Sequence, residues 1–376
     1  MSGTSSRVPF GERGGPLRGI VDLVTGCYPA FLFGGRVSGL LPVFHFHEVT
    51  VEALEPQLQY LAENGYRTVT SDEIARLVLD GRHPGDRSVV LTFDDAWSSL
   101  WTVAAPLLRK YGMRAIAFAI PGRITPSDDL RPTIDHGLTD PPALDRSDTP
   151  FVHWAELKRL HASGVIDVQS HTLSHAMIFC GSQVVAFVTP DYARQPLLAR
   201  PMIDADDGPR FVTPGDLGAP LYAQRSRMSD AARYLDDREA RRRCMEYVAK
   251  AGGAAFFSRP SFEHELHAVA GRVNGRFESD AERERAMAEE LGRSREILEA
   301  QIGAPTVRQV ALPWGIAGEA ARRALKASGY VVAFAERPLR LRAVRAGDDP
   351  FSLMRLNNKF LRCLPGKSRR SFFSAA

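Results

Sequence analysis

The hydrophobic positions of this chain switch repeatedly between a period of two and a period near four. Val89-Val90-Leu91-Thr92-Phe93 is a near-continuous apolar run stopped by Asp94-Asp95, the pattern of a strand covered on both faces of a parallel sheet. Leu41 to Val49 predicts another strand, with His45 and His47 on one face and Phe44 and Phe46 on the other. Leu54, Leu58 and Leu61 then recur at helical spacing up to Asn64-Gly65. Arg67 to Thr70 reads as a short strand. Ser71-Asp72-Glu73 opens a helix whose acidic first turn suits its N-terminus, with Ile74, Leu77 and Val78 facing inward.

The alternation continues past the Asp pair. Leu100, Val103, Ala104, Leu107 and Leu108 predict a helix ending at Gly112, with a kink expected at Pro106. Strands are predicted over 114–120, 165–169, 307–312 and 330–335, and helices over 154–162, 288–302 and 318–327. This many βα units with short turns fits a closed or nearly closed (β/α) barrel better than an open sheet. Two segments break the rhythm. The Pro/Asp-rich stretch 121–150 is too long for an idle connector. Residues 176–285 form a block of their own, in which Arg241-Arg242-Arg243 alternates with acidic residues as a solvated helix face would. The expected organisation is an N-terminal arm over 1–40 and a barrel over 41–376 that carries the insertion 176–285. Residues 1–16 read as disordered, before a short docking helix. Because the insertion leaves the barrel directly after His175, it is expected to fold over the site.

Composition narrows the function classes. A chain of 376 residues that is 44% hydrophobic can bury a large core, and a net charge of +4 gives no reason to expect nucleic acid. Cys27, Cys180, Cys244 and Cys363 are too scattered for a disulfide framework or a thiolate zinc site. The apolar stretch 20–41 is interrupted by Asp22, Pro29, Arg36 and several glycines, so no transmembrane span and no clear signal peptide is expected. A cytoplasmic location follows as the expectation.

The candidate chemistry lies where strands end. Asp94 and Asp95 close one strand, and a buried carboxylate without a cation or donors costs several kcal/mol. Either the pair caps the next helix or it serves a reaction. Ser170-His171-Thr172-Leu173-Ser174-His175 closes another strand with two His four residues apart. In a barrel, catalytic groups sit at the carboxyl ends of strands. Asp95, His171 and His175 would make a two-imidazole, one-carboxylate metal site of the zinc type with a position left open, and Asp94 would remain available as a base.

Thr92-Phe93-Asp94-Asp95 and Ser170-His171-Thr172-Leu173-Ser174-His175 resemble the first two motifs of the NodB-homology polysaccharide deacetylases, the carbohydrate esterase family 4 type. The resemblance implies a distorted (β/α) barrel and metal-dependent removal of N-acetyl groups. It assigns Asp94 as base and Asp95, His171 and His175 as ligands of one divalent ion, zinc by expectation. Ala311-Leu312-Pro313-Trp314-Gly315 resembles the third motif, a loop lining the site, so Pro313, Trp314 and Gly315 are implied in substrate binding. Trp314 and Trp97 could each stack on a sugar ring or simply belong to the core. Ala96 stands where the family usually has Gly. Ala311 stands where many members carry the Arg that steadies the base, which leaves that role without a residue.

No His follows His267, although the usual family places its acid His late in the chain. Phe46-His47-Glu48-Val49 instead resembles the early motif of the circularly permuted members, such as the poly-N-acetylglucosamine de-N-acetylases. That order implies His47 as general acid, with His45 the alternative and a core role for both the bland one. The expected partner is an N-acetylated sugar or glycan containing N-acetylhexosamine. Two other readings stay open: a same-fold amidohydrolase cutting a non-sugar C–N bond, and a carbohydrate-binding relative without turnover.

Overall fold

The computed structural model describes residues 21–137 and 149–375. The disorder expected for 1–16 and the middle of the Pro/Asp-rich loop therefore lie outside the described residues. Eight parallel strands make the main sheet. Its order is Val332–Phe334, Gln309–Ala311, Ile166–Ser170, Ala115–Ala119, Ser88–Asp95, Val43–Phe46 and Leu356–Asn357. Arg67–Thr68 pairs with the start of Ser88–Asp95, on the edge opposite the strand Val43–Phe46. The sheet curls into a half-barrel of the NodB type. An isolated parallel bridge between Phe334 and Leu353 ties one end of the row to the chain entering the other.

The strand Ser88–Asp95 is buried at every position because it is paired on both sides and covered on both faces. Val90, Ile116, Phe118, Ala311, Val332 and Phe334 interlock in the core with Ile74, Leu77 and Val78 of the helix Ser71–Asp80. Helix starts follow the sequence signals. Thr50 accepts from the Ala53 N–H at the head of Val51–Glu63, and the Thr70 N–H donates to Glu73 at the head of Ser71–Asp80.

Several boundaries differ from the sequence reading. The kink expected at Pro106 lies earlier, as a π-helical turn over Leu100–Ala104 that precedes the α-helical turn Ala105–Lys110. Pro106, lacking an N–H, then falls in the first turn of that helix, where the missing donor costs nothing. The late helix runs Asp280–Ile302, so it begins inside the stretch assigned to the insertion. The strand Leu356–Asn357 escaped the sequence reading, two residues being too short to show a period.

From the end of the His-x-x-x-His loop to Met287, together with 318–321, the chain packs as a compact unit of its own. Antiparallel pairs build it: Met177–Phe187 with Pro220–Ser226, Met202–Ala205 with Gly208–Phe211, and Tyr234–Leu235 with Arg276–Phe277. Cys244, Val248, Phe256 and Leu266 pack beneath Phe187. In the helix Arg238–Lys250, Arg242 is solvated and pairs with Glu239 and Glu246, as the charge pattern predicts. Arg241 is instead buried against Asp236, because it lies on the helix face turned toward the strands.

Candidate active site

The helical segment after the Asp pair begins at Leu100 with Ser99 at its N-cap position, so neither Asp94 nor Asp95 is its N-cap residue. Asp95 and Ala96 both adopt left-handed φ, 71° and 60°, which turns the chain sharply and aims the two carboxylates apart. Thr172 and His175 of the second motif and Trp314 of the third share this strained region. Left-handed backbone costs a non-glycine residue about 1 kcal/mol or more. Its concentration on three motif loops is the mark of a functional constellation.

Asp95, His171 and His175 are buried and offer ligand atoms that all lie within 4.8 Å of one another. The hydrogen bonds around them define their chemistry. His171 Nδ1 lies 2.7 Å from the Ala311 carbonyl oxygen, which can only accept, so Nδ1 carries the proton. Its Nε2 lone pair then faces Asp95 Oδ1 at 3.3 Å. Two acceptors at that distance repel unless a cation or proton lies between them. Burial disfavours a charged His171 ring, yet Asp94 and Asp95 outweigh it and raise the imidazole's pKa. The field at this point therefore favours positive charge, and the donor set fits a divalent metal ion. The other Asp95 oxygen is held by the Trp97 indole N–H at 2.9 Å, and the Trp97 ring stacks on Phe151 at 4.5 Å. Trp97 thus stands beside a ligand rather than open to a sugar along both ring faces.

Asp94 points elsewhere. Arg355 grips it in a fork, with Nη1 2.6 Å from Oδ1 and Nη2 2.7 Å from Oδ2. The guanidinium also lies over the rings of Phe118 and Phe334 and donates to Thr92 Oγ1. Burial alone would raise the Asp94 carboxyl, but Arg355, helped by His171, holds it well below the usual carboxylate range. Arg355 therefore stands beside Asp94, in the place for which the sequence offered no residue. The signal available was faint: one charge inside the apolar run Leu353-Met354-Arg355-Leu356.

The two early histidines separate clearly. His47 lies just beyond the strand Val43–Phe46, half exposed, with Nε2 3.9 Å from Asp94 Oδ2. His45 lies within the strand, its ring edge-on to His47. Burial, reinforced by Arg355, pushes the His45 imidazole down to about 3. Held neutral near pH 7, its ring keeps only a weakly acidic N–H and is unsuited to act as a general acid.

Two further residues hold the second motif. Glu290 accepts from the Ser174 N–H and hydroxyl, and its own carbonyl accepts from the Leu173 N–H. The Gly122 N–H donates to the Leu173 carbonyl at 2.8 Å, and a Cβ at Gly122 would lie 2.6 Å from that oxygen. Neither carries a sequence signal of chemistry, because each acts through the loop backbone. In the third motif, the Ala311 carbonyl meets His171, Pro313–Gly315 forms a tight turn, and Trp314 is half-buried. Gly315 is needed there, since its φ is 72° and a Cβ would lie 2.6 Å from Glu336 Cγ.

Comparison with known proteins bears on the family and the fold. Residues 81–195 match the polysaccharide deacetylase family model. Over 143 residues, 36% of this chain and 43% of the relative, the chain is 27% identical to YxkH of Bacillus subtilis (strain 168), named as a polysaccharide deacetylase. It is also 27% identical over 127 residues to the poly-beta-1,6-N-acetyl-D-glucosamine N-deacetylase of Escherichia coli (strain K12), covering 34% of this chain and 18% of that one. The chain thus spans less than half the length of either relative. Among solved structures, a de-N-acetylase from Aggregatibacter actinomycetemcomitans superposes with a TM-score of 0.50 at 18% identity, over 85% of this chain and 95% of that one. Residues 81–195 thus match a polysaccharide deacetylase domain, and the fold is of the NodB type.

Proposed function

We propose that this chain is a metal-dependent N-deacetylase that removes acetyl groups from a glycan or glycoconjugate containing N-acetylhexosamine. The observation that carries the reading is the pairing of two sites on one turn: a metal-fitting trio that includes Asp95, and Asp94 beside it between Arg355 and His47. When bound by Asp95, His171 and His175, a divalent ion, zinc by the nature of this donor set, supplies polarisation of the acetamide carbonyl and acidification of water.

The chain's own residues do the rest. Asp94 accepts the proton of the attacking water. Arg355 occupies one lone pair on each Asp94 oxygen, which fixes the carboxylate's plane and keeps it ionised. His47, within reach of Asp94 and open to solvent, protonates the departing amine. Trp97 orients Asp95, and the turn Pro313-Trp314-Gly315 offers Trp314 as a surface for the sugar ring. A complete ligand trio beside an ionised Asp94 argues against the reading of a binding protein without turnover.

The test is acetate release by the zinc-loaded protein from a panel of acetylated compounds. The proposal expects acetate and free amine in equal amounts from N-acetylglucosamine oligosaccharides. Release only from non-sugar acetamides would transfer the chemistry to another substrate class.

A further inference from the structure

We propose that the surface around Phe33 and Phe373 docks onto an anionic lipid bilayer. Phe373 is 80% exposed and Phe33 is 47% exposed, although both belong to one aromatic cluster. Phe372 is its buried centre. The rings of Phe33, Phe360 and Tyr28 lie 4.8, 5.1 and 5.3 Å from it, and that of Phe373 lies at 5.6 Å. The cluster is rigidly supported from below. Arg369 donates to the carbonyls of Phe31, Gly34, Gly35 and Cys363, tying the turn Ala30–Phe33 to the segment that carries Phe372.

Charge selects the occupant. Residues 351–376 hold six Lys and Arg and not one Asp or Glu, and residues 23–47 hold Arg36 and no acid. Arg36, Lys359, Lys367 and Arg370 are all exposed, and Lys359 Nζ lies 5.0 Å from the ring of Phe360. Exposed aromatic rings set among cations, with no acidic residue in either segment, match an interface whose headgroups are negative and whose acyl region is apolar. A protein partner would need acidic groups complementary to four separate cations around the same rings. A second copy of this chain would bring like charge against like.

Vesicle flotation tests this on the intact chain. Binding is expected to vesicles of phosphatidylcholine and phosphatidylglycerol in equal parts, to fall as salt rises, and to be at least about tenfold weaker to phosphatidylcholine alone. Phe33→Ser combined with Phe373→Ser should weaken binding by about tenfold or more, and Lys367→Glu with Arg370→Glu by a similar factor. Both double variants should keep the parent's thermal unfolding temperature within a few degrees and, given the proposed activity, its turnover of a soluble oligosaccharide. Equal binding to neutral and anionic vesicles, no binding to either, or full binding by the Phe variant would overturn the proposal. So would a dimer that the Phe variant dissociates while vesicle binding is absent, which would assign the patch to self-association.

Discussion

Arg355 and Asp94 stand 261 positions apart in the chain and meet through two parallel hydrogen bonds of 2.6 and 2.7 Å. This pair decides the protonation state of the proposed base. The Asp94 pKa is depressed in the folded protein. The stability it contributes is therefore present above the ordinary carboxylate value of ~3.9 and lost as pH falls through the folded value.

Removing Arg355 reverses that balance. In Arg355→Ala the largest influence lowering Asp94 is lost while burial remains, so its pKa should rise. The acid limb of the pH–rate profile should move toward neutrality, with stability lower by about 3–5 kcal/mol. Arg355→Lys keeps the charge but loses the fork, so it should show a smaller shift in the same direction. An acid limb unmoved in both variants would mean that Asp94 does not set it.

His47 and His45 make opposite predictions. His47→Ala should keep its fold and metal while turnover falls by about 10²–10⁴-fold. His45→Gln should retain most of its turnover, because an imidazole pushed down to about 3 is not protonated near neutral pH and cannot serve as the acid. Turnover recorded on both variants decides the assignment; a loss confined to the His45 variant would reverse it.

Metal retention tests the ligand trio apart from turnover. His175→Ala should lower metal affinity by at least about tenfold, as two protein ligands make a poor site. Trp97→Phe removes the N–H that holds Asp95 together with part of the ring that stacks on Phe151, and about tenfold or more weaker metal binding is expected. Titration of metal into the apoprotein, followed by calorimetry, checks both.

Backbone strain at the motif loops yields a stability prediction. Ala96 has a φ of 60°, so Ala96→Gly should relieve about 1 kcal/mol, partly offset by a freer unfolded chain, and leave the unfolding temperature unchanged or higher. Gly122→Ala should do the reverse, since its Cβ would press on the Leu173 carbonyl. Metal affinity should fall with it, and unfolding curves with and without metal measure the two effects.

The sequence was informative wherever a residue's chemistry and its local pattern coincided. Asp94 and Asp95 were visible because two carboxylates end an apolar strand. His171 and His175 were visible because they end another. The (β/α) alternation predicted a closed or nearly closed barrel, because each strand and helix carries its own period; the parallel sheet curls into a half-barrel, the distorted form of that fold. Arg355 was not visible as the partner of Asp94, because a contact across 261 positions leaves no local trace. Trp97 was legible as an aromatic near the site, but its hydrogen bond to Asp95 depends on the left-handed turn at Asp95 and Ala96. Gly122 and Glu290 act on a loop backbone, and nothing in their neighbours announces it. The choice between His45 and His47 needed burial and the position of Arg355, which only the fold supplies.

The most direct test is acetate release from an N-acetylglucosamine oligosaccharide by the zinc-loaded parent and by Asp94→Asn, with metal content measured on the same samples. The account predicts acetate and free amine in equal amounts from the parent. It predicts full metal in the variant with turnover lower by about 10²–10⁴-fold, because an amide cannot take the water's proton. No acetate from the metal-loaded parent, or turnover by Asp94→Asn equal to the parent's, would contradict it.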